Sequence, residues 1–269
     1  MTDSQVAVVT GISSGIGKAT AAELARRGFR VFGTVRAAGA AALPGVEEVV
    51  LDVRDEASVE RGVAEVLGKA GRIDVLINNA GTSIVGAIEE TDTAQARELF
   101  DVNFFGAVRM TRAVLPAMRA RRAGRLLYVS SVVGFLPAPF MGFYSASKHA
   151  LEGYAESLEH ETRTLGIRVA LIEPGSMRTN ADKSATLAEA RIADYAEAFE
   201  RVWASASAHQ RDGEDPAVVA KAVLRAATER TPRLRYPVGK GASLLAKLRS
   251  FMPAGVFSRS LRRAFRVDA

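Results

Sequence analysis

Tyr144 and Lys148 stand four residues apart, a spacing that on a helix puts phenol and ammonium on one face. A cation beside a phenol stabilises the phenolate, so the pair suits proton transfer to or from a reacting oxygen. Ser131, thirteen positions before Tyr144, ends an apolar run from which its hydroxyl can reach the same crevice. A lone Tyr and Lys at this spacing is usually a solvated helix face, but here two glycine-bearing turns accompany it. The first is Thr10-Gly11-Ile12-Ser13-Ser14-Gly15-Ile16-Gly17. Its glycines permit a tight turn and let backbone approach a pyrophosphate at a helix N-terminus, where free amides and the dipole favour anions. The spacing is GxxxGxG rather than GxGxxG, so alone it fits a plain strand–helix turn nearly as well. The second, Asn78-Asn79-Ala80-Gly81, is turn chemistry by itself. Its place after the fourth strand-like run faces it towards the first turn.

Particular elements must hold these groups together. Strand-like runs at 6–10, 30–35, 47–51, 73–77, 125–129 and 168–172 alternate with helical stretches at 17–27, 56–70, 93–120 and 144–165. That order predicts an α/β fold, a doubly wound parallel sheet of Rossmann type with helices on both faces and ligands at the strands' carboxyl ends. After Pro174, residues 185–203 carry Leu187, Ile192, Tyr195, Phe199, Val202 and Trp203 at helical spacing. Asp215 before Pro216 starts a further helix that runs to about Thr228. Past Pro232 the chain reads as an irregular basic tail. One domain over 1–269 is expected, with a lid insertion at 176–214 and the tail at 230–269.

The 269 residues are 48% hydrophobic and 25% charged, which excludes disorder and provides for one large core. No apolar run is long enough to span a bilayer, and the N-terminus lacks a signal-peptide pattern. Cysteine is absent and the three histidines are scattered, so no metal site is expected and a reducing, cytoplasmic setting is. Ten of the 36 bases and one of the 30 acids lie in 230–269, which leaves 26 bases and 29 acids for the body. The basic character belongs to the tail, and no nucleic-acid partner is expected.

TGISSGIG (10–17), NNAG (78–81), Asn103, Ser131, YSASK (144–148) and EPGSMRT (173–179) together resemble the short-chain dehydrogenase/reductase superfamily, in order and spacing over roughly residues 6–179. DVNFFGAVRM, KHALEGYAESL and RYPVG are similar to its 17β-hydroxysteroid and retinol dehydrogenase branch. The resemblance implies a catalytic set of Asn103, Ser131, Tyr144 and Lys148. Tyr144 would exchange the proton and Ser131 would hydrogen-bond the substrate oxygen. Lys148 would depress the Tyr144 pKa and bind the nicotinamide ribose, and Asn103 would hold a water linking Lys148 to solvent. Family spacing and strand alternation select Ser131 over Ser130, which is expected to pack. The resemblance also implies cofactor contacts from Gly11, Ser13, Ser14, Gly15, Ile16, Gly17, Asn79, Ala80 and Gly81, and on the nicotinamide side from Pro174, Gly175, Met177 and Thr179. Asp52 and Val53 resemble the adenine contact, although Asp52 would equally cap the next helix.

Cofactor choice turns on the end of the second strand-like run, where an acid would select the ribose of NAD and a cation the 2′-phosphate of NADP. Val35 holds the acid position and Arg36 follows, so NADP(H) is expected. Val133, Phe135, Leu136, Pro137, Phe140, Met141 and Phe143 either line a hydrophobic substrate site or pack beneath the lid. In the tail, 243–252 puts Leu244, Leu245, Leu248, Phe251 and Met252 on one face, expected to dock on the body over the substrate entrance; mediating assembly and lying on an anionic membrane are less favoured. The expected function is therefore hydride transfer between NADP(H) and a carbonyl or secondary alcohol of a hydrophobic small molecule, with reduction favoured. The resemblance also implies a homo-oligomer, dimer or tetramer, through 93–120 and 144–165. The rivals are a non-catalytic NADP sensor and a membrane-surface protein using the tail.

Overall fold

Each buried strand sends alternate side chains to opposite faces, and two separate apolar layers result. The computed structural model describes residues 4–179, 185–265 and 267. Strands β1 (Val6–Val9), β2 (Arg30–Val35), β3 (Val46–Val50), β4 (Val75–Asn78), β6 (Gly124–Val129), β7 (Ile167–Pro174) and β9 (Arg235–Val238) form one parallel sheet in the order β3-β2-β1-β4-β6-β7-β9. Val6 and Val8 of β1 face one layer with Leu76, Leu126 and Leu171; Ala7 and Val9 face the other with Ile77, Leu127 and Ile172. Burial on both faces explains why these strands are near-continuous apolar runs. Helices α2 (Glu56–Ala70), α4 (Gly106–Arg121) and α5 (Gly142–Thr162) cover the first face. Helices α1 (Gly15–Arg26) and α7 (Ala217–Thr228) cover the second.

The strand order reverses between β1 and β4, and their carboxyl ends open a crevice there. Three elements differ from expectation. The helix predicted over 93–120 is α3 (Thr93–Phe100) and α4 joined by a π turn, Asp101–Phe105, and Asn103 lies in that turn. The tail is not irregular: it starts with β9, which pairs in parallel with β7 and aligns Leu171 with Arg235, and continues as α8 (Ala242–Phe251) and α9 (Ala254–Ala264). In the lid, β8 (Thr186–Leu187) pairs with β5 (Ile84–Val85), and α6 (Ala193–Arg211) follows. Residues 180–184 of the expected lid, and 266, 268 and 269 of the tail, lie outside the described residues.

Candidate active site

Thr10 joins the two turns that flank the crevice. Its Oγ1 accepts from the Asn79 and Ala80 amides, each at 2.9 Å, and Asn79 Nδ2 donates back to Thr10 O at 2.8 Å and Gly11 O at 3.1 Å. Gly11 turns the chain at φ +72°, where a side chain would be strained. Gly17 lies so close beneath it that a Cβ there would fall 2.2 Å from Gly11 O. No side chain caps the start of α1, which leaves its first amides facing the crevice. These features fit a pyrophosphate. Thr10 was not singled out from the sequence, since a Thr ending a strand carries no mark of this bridging role.

The crevice encloses about 620 Å³. Its walls include Gly11, Ser13, Ser14, Gly15, Ile16, Gly17, Asn79, Ala80, Gly81, Thr179, Tyr144 and Lys148, together with Arg36, Asp52 and Val53 at the opposite end. Val35 is buried, while Arg36 is exposed and forms no salt bridge among the described residues. Asp52 does not cap α2; that role falls to Asp55, whose carboxylate accepts from the Ala57 amide. Asp52 instead takes a hydrogen-bonded Arg54, which holds its carboxyl below the usual range, with Arg36 adding to the effect. Arg54 thus makes a second cation at this end, one the sequence reading did not select.

At the catalytic end, the Ser131 hydroxyl hydrogen-bonds the Tyr144 phenol, accepts from the Val133 amide at 3.3 Å and donates to Pro174 O at 3.4 Å. Ser130 points the other way and donates to buried Glu152 at 2.6 Å, although part of it also borders the crevice. Lys148 Nζ lies 5.8 Å from the centre of the Tyr144 ring and donates to Val129 O at 2.9 Å. The expected lowering of the Tyr144 pKa is not what these surroundings produce. Burial raises it, with Ser131 pulling the other way, and burial also brings Lys148 down to about 8 against the opposing pull of Glu152.

Asn103 stands behind the wall. Its Oδ1 accepts from the Thr82 amide at 2.8 Å; its Nδ2 donates to Thr82 O at 2.9 Å and to Ser147 Oγ at 3.1 Å. Ser147 in turn donates to Tyr144 O, so Asn103 reaches the catalytic helix through a serine. A Cβ on Gly81 would meet Asn103 Oδ1 at 3.2 Å and Lys148 Nζ at 3.8 Å, which shows how closely the three converge. Pro174, Gly175 and Met177 do not border the crevice. Gly175 donates to Val238 O of β9, and buried Met177 bridges to Glu214 at the end of the lid.

The apolar segment before Tyr144 mostly packs. Val133, Leu136 and Met141 join Phe257, Leu261 and Phe265 of the tail in a cluster that also touches Tyr144. Phe140 meets Phe199 of the lid edge-on at 5.6 Å, and Phe199 stacks on Trp203. The roof over Tyr144 is therefore built by α9 together with Met252, and Arg249 of α8 donates to Phe135 O beside it, whereas Leu244, Leu245 and Phe251 of α8, expected to dock there, are exposed. Beneath the site, Arg235 of β9 pairs with Glu152, Glu156 and Glu173. Sequence reading missed this cluster, although Glu152 follows Lys148 by one helical turn.

A family model described as short chain dehydrogenase matches residues 5–190. A 3-ketodihydrosphingosine reductase of Bacteroides thetaiotaomicron is 37% identical, over 96% of this chain and 97% of its own. Retinol dehydrogenase 8 of Bos taurus is 34% identical, over 92% and 86% respectively. Among solved structures, a short-chain dehydrogenase from Streptomyces avermitilis aligns at a TM-score of 0.85 and 35% identity, covering 100% of this chain and 98% of that one. A Burkholderia phymatum short chain dehydrogenase/reductase in complex with NAD aligns at 0.78 and 27% identity, covering 92% of each chain. One from Burkholderia cenocepacia in complex with NADP aligns at 0.78 and 25%, covering 96% and 98%. With a matching model over most of its length and full-length relatives above 30% identity, the chain belongs to the short-chain dehydrogenase family of oxidoreductases, which act on CH–OH and C=O groups.

Proposed function

We propose that the chain is an NADP(H)-dependent reductase of ketones on hydrophobic small molecules, with Tyr144 as its general acid. The observation that carries this reading is the two-ended crevice: Tyr144 and Lys148 at one end, with Ser131 beside Tyr144, and at the other Arg36 and the Asp52-paired Arg54, without an acid at position 35. Gly11, Gly15, Gly17 and the open start of α1 would hold the pyrophosphate. The nicotinamide would supply the hydride at carbon. Ser131 and Tyr144 would hold the substrate oxygen, and Tyr144 would give it a proton. Burial keeps the phenol protonated at neutral pH, the form that reduction requires. The intact Tyr144–Lys148 pair weighs against a non-catalytic sensor. Relatives named for a ketosphingoid and for retinol support a long apolar substrate. No metal is required, and a cytoplasmic setting suits the cysteine-free chain.

The test is cofactor selectivity. Only NADP carries the 2′-phosphate, so the Arg36 contribution is differential. A hydrogen bond to a charged group is worth about 1.5–3 kcal/mol, or about 10–100-fold in kcat/KM for NADPH over NADH. Arg36→Ala should collapse that ratio towards one. A wild type that prefers NADH, or an unchanged ratio in the variant, would overturn the NADP assignment.

We also propose a homo-oligomer. Exposed Phe105 borders a groove of about 500 Å³ between α3 and the start of α5, lined also by Phe100 and Phe143. Light scattering should find a dimer or tetramer, and Phe105→Glu should shift it towards monomer.

A further inference from the structure

Helix α8 is mounted the wrong way round for a water-soluble surface. Its small residues face the protein, with Ala242 buried and Ala246 half-buried, while Leu244 is 59% exposed and Phe251 86% exposed. Leu245 is exposed as well. At 100° per residue, Leu244, Leu248 and Phe251 share one stripe with Lys247 beside it, whereas Arg249 turns towards the protein, donating to Phe135 O and lying over the Phe257 ring. The next helix obeys the ordinary rule. Phe257 of α9 is buried, Leu261 and Phe265 pack beside it, and Arg259, Arg262 and Arg263 are exposed.

We infer that α8 and α9 form a docking surface for an anionic lipid bilayer, on which α8 lies in the plane of the interface. Apolar side chains directed outwards on a basic segment are the arrangement that such an interface selects: the hydrocarbon parts enter the acyl boundary, and exposed cations such as Lys247 and Arg259 reach the phosphates. A second copy of the chain is the poorer occupant, because the stretch 230–269 holds ten bases against one acid and two such tails would repel. No helix among the described residues is long and apolar enough to cross a membrane, so the surface would be met from one side. The same segment roofs Tyr144 through Phe257, so docking would bring the catalytic end beside the lipid.

The experiment is flotation of the full chain with vesicles of phosphatidylcholine, alone or mixed with phosphatidylglycerol, at about 0.1 M and about 1 M salt, where the screening length falls from about 10 Å to 3 Å. Each basic group near the surface contributes about fivefold in partitioning, and each large apolar side chain about tenfold. Wild type should float with the mixed vesicles, at least about tenfold less with neutral vesicles or in high salt. The triple variant Leu244→Ser, Leu245→Ser, Phe251→Ser should lose flotation while keeping the melting temperature, because none of the three is buried. Failure of wild type to float, equal flotation on neutral vesicles, or flotation retained by the triple variant would overturn the inference. So would an oligomer in light scattering that the triple variant dissolves without any vesicle binding, which would give the face to a second copy.

Discussion

Tyr144→Phe is expected to lower turnover by about 10²–10⁴-fold while fold and cofactor binding persist. The substitution removes one oxygen, and with it the hydrogen bond to Ser131 and the proton that reduction requires. The ring stays, and with it the packing against the roof cluster and the contact with Lys148. Lys148→Ala should behave differently. It deletes a buried cation that lines the crevice, so cofactor affinity and rate should fall together. Cofactor titration by fluorescence, run beside steady-state kinetics, separates the two. A Phe variant with more than a tenth of wild-type turnover would remove Tyr144 from the chemistry.

Arg235→Ala should cost about 3 kcal/mol or more at pH 8, since breaking a buried pair leaves uncompensated charge. Glu152 and Glu173 are buried, and Arg235 pairs with both. Burial already lifts Glu173 from 4.5 to about 7, with neighbouring Glu152 lifting it further and Arg235 opposing. A carboxyl whose folded pKa lies above its unfolded value favours folding in its protonated form. Its contribution is present in full below about pH 4.5 and is lost as pH rises through about 7. Without Arg235 the lift grows, so the variant should be weakened less at pH 5 than at pH 8. Urea unfolding at the two pH values measures this, and Glu173→Gln added to Arg235→Ala should recover part of the loss at pH 8. Equal losses at both pH values would show that the cluster is not held by charge.

How far the sequence could be read depends on what each element buries. Strands closed in on both faces are largely apolar and rich in valine and isoleucine, and the runs at 6–10 and 30–35 match β1 and β2 almost residue for residue. Strand β9 escaped because Arg235 and Pro237 look unlike a strand. At a sheet edge proline is tolerated, and Arg235 is there to meet carboxylates from elements far away in sequence. The π turn left no trace either, since apolar residues continue through Phe104 and Phe105. Yet that turn decides where Asn103 points. Helix α9 sets Phe257 and Leu261 among serines and arginines, while the more apolar stripe of α8 suggested the docking that α9 performs. The catalytic pair was legible for the opposite reason. Its geometry is local, one turn of one helix, and needs no distant partner to be recognised.

The position of β9 in the chain bears on the order in which this protein can be completed during synthesis. The six other strands of the main sheet, the glycine turn and the catalytic helix all leave the ribosome before residue 235 does. Until then β7 has an unpaired edge, and Glu152 and Glu173 lack their cation one layer below Lys148. A nascent chain at that stage holds every group proposed for chemistry but not the charge balance of the floor beneath them. The floor of the proposed site is thus completed by the last strand of the sheet to be made, after every group it supports.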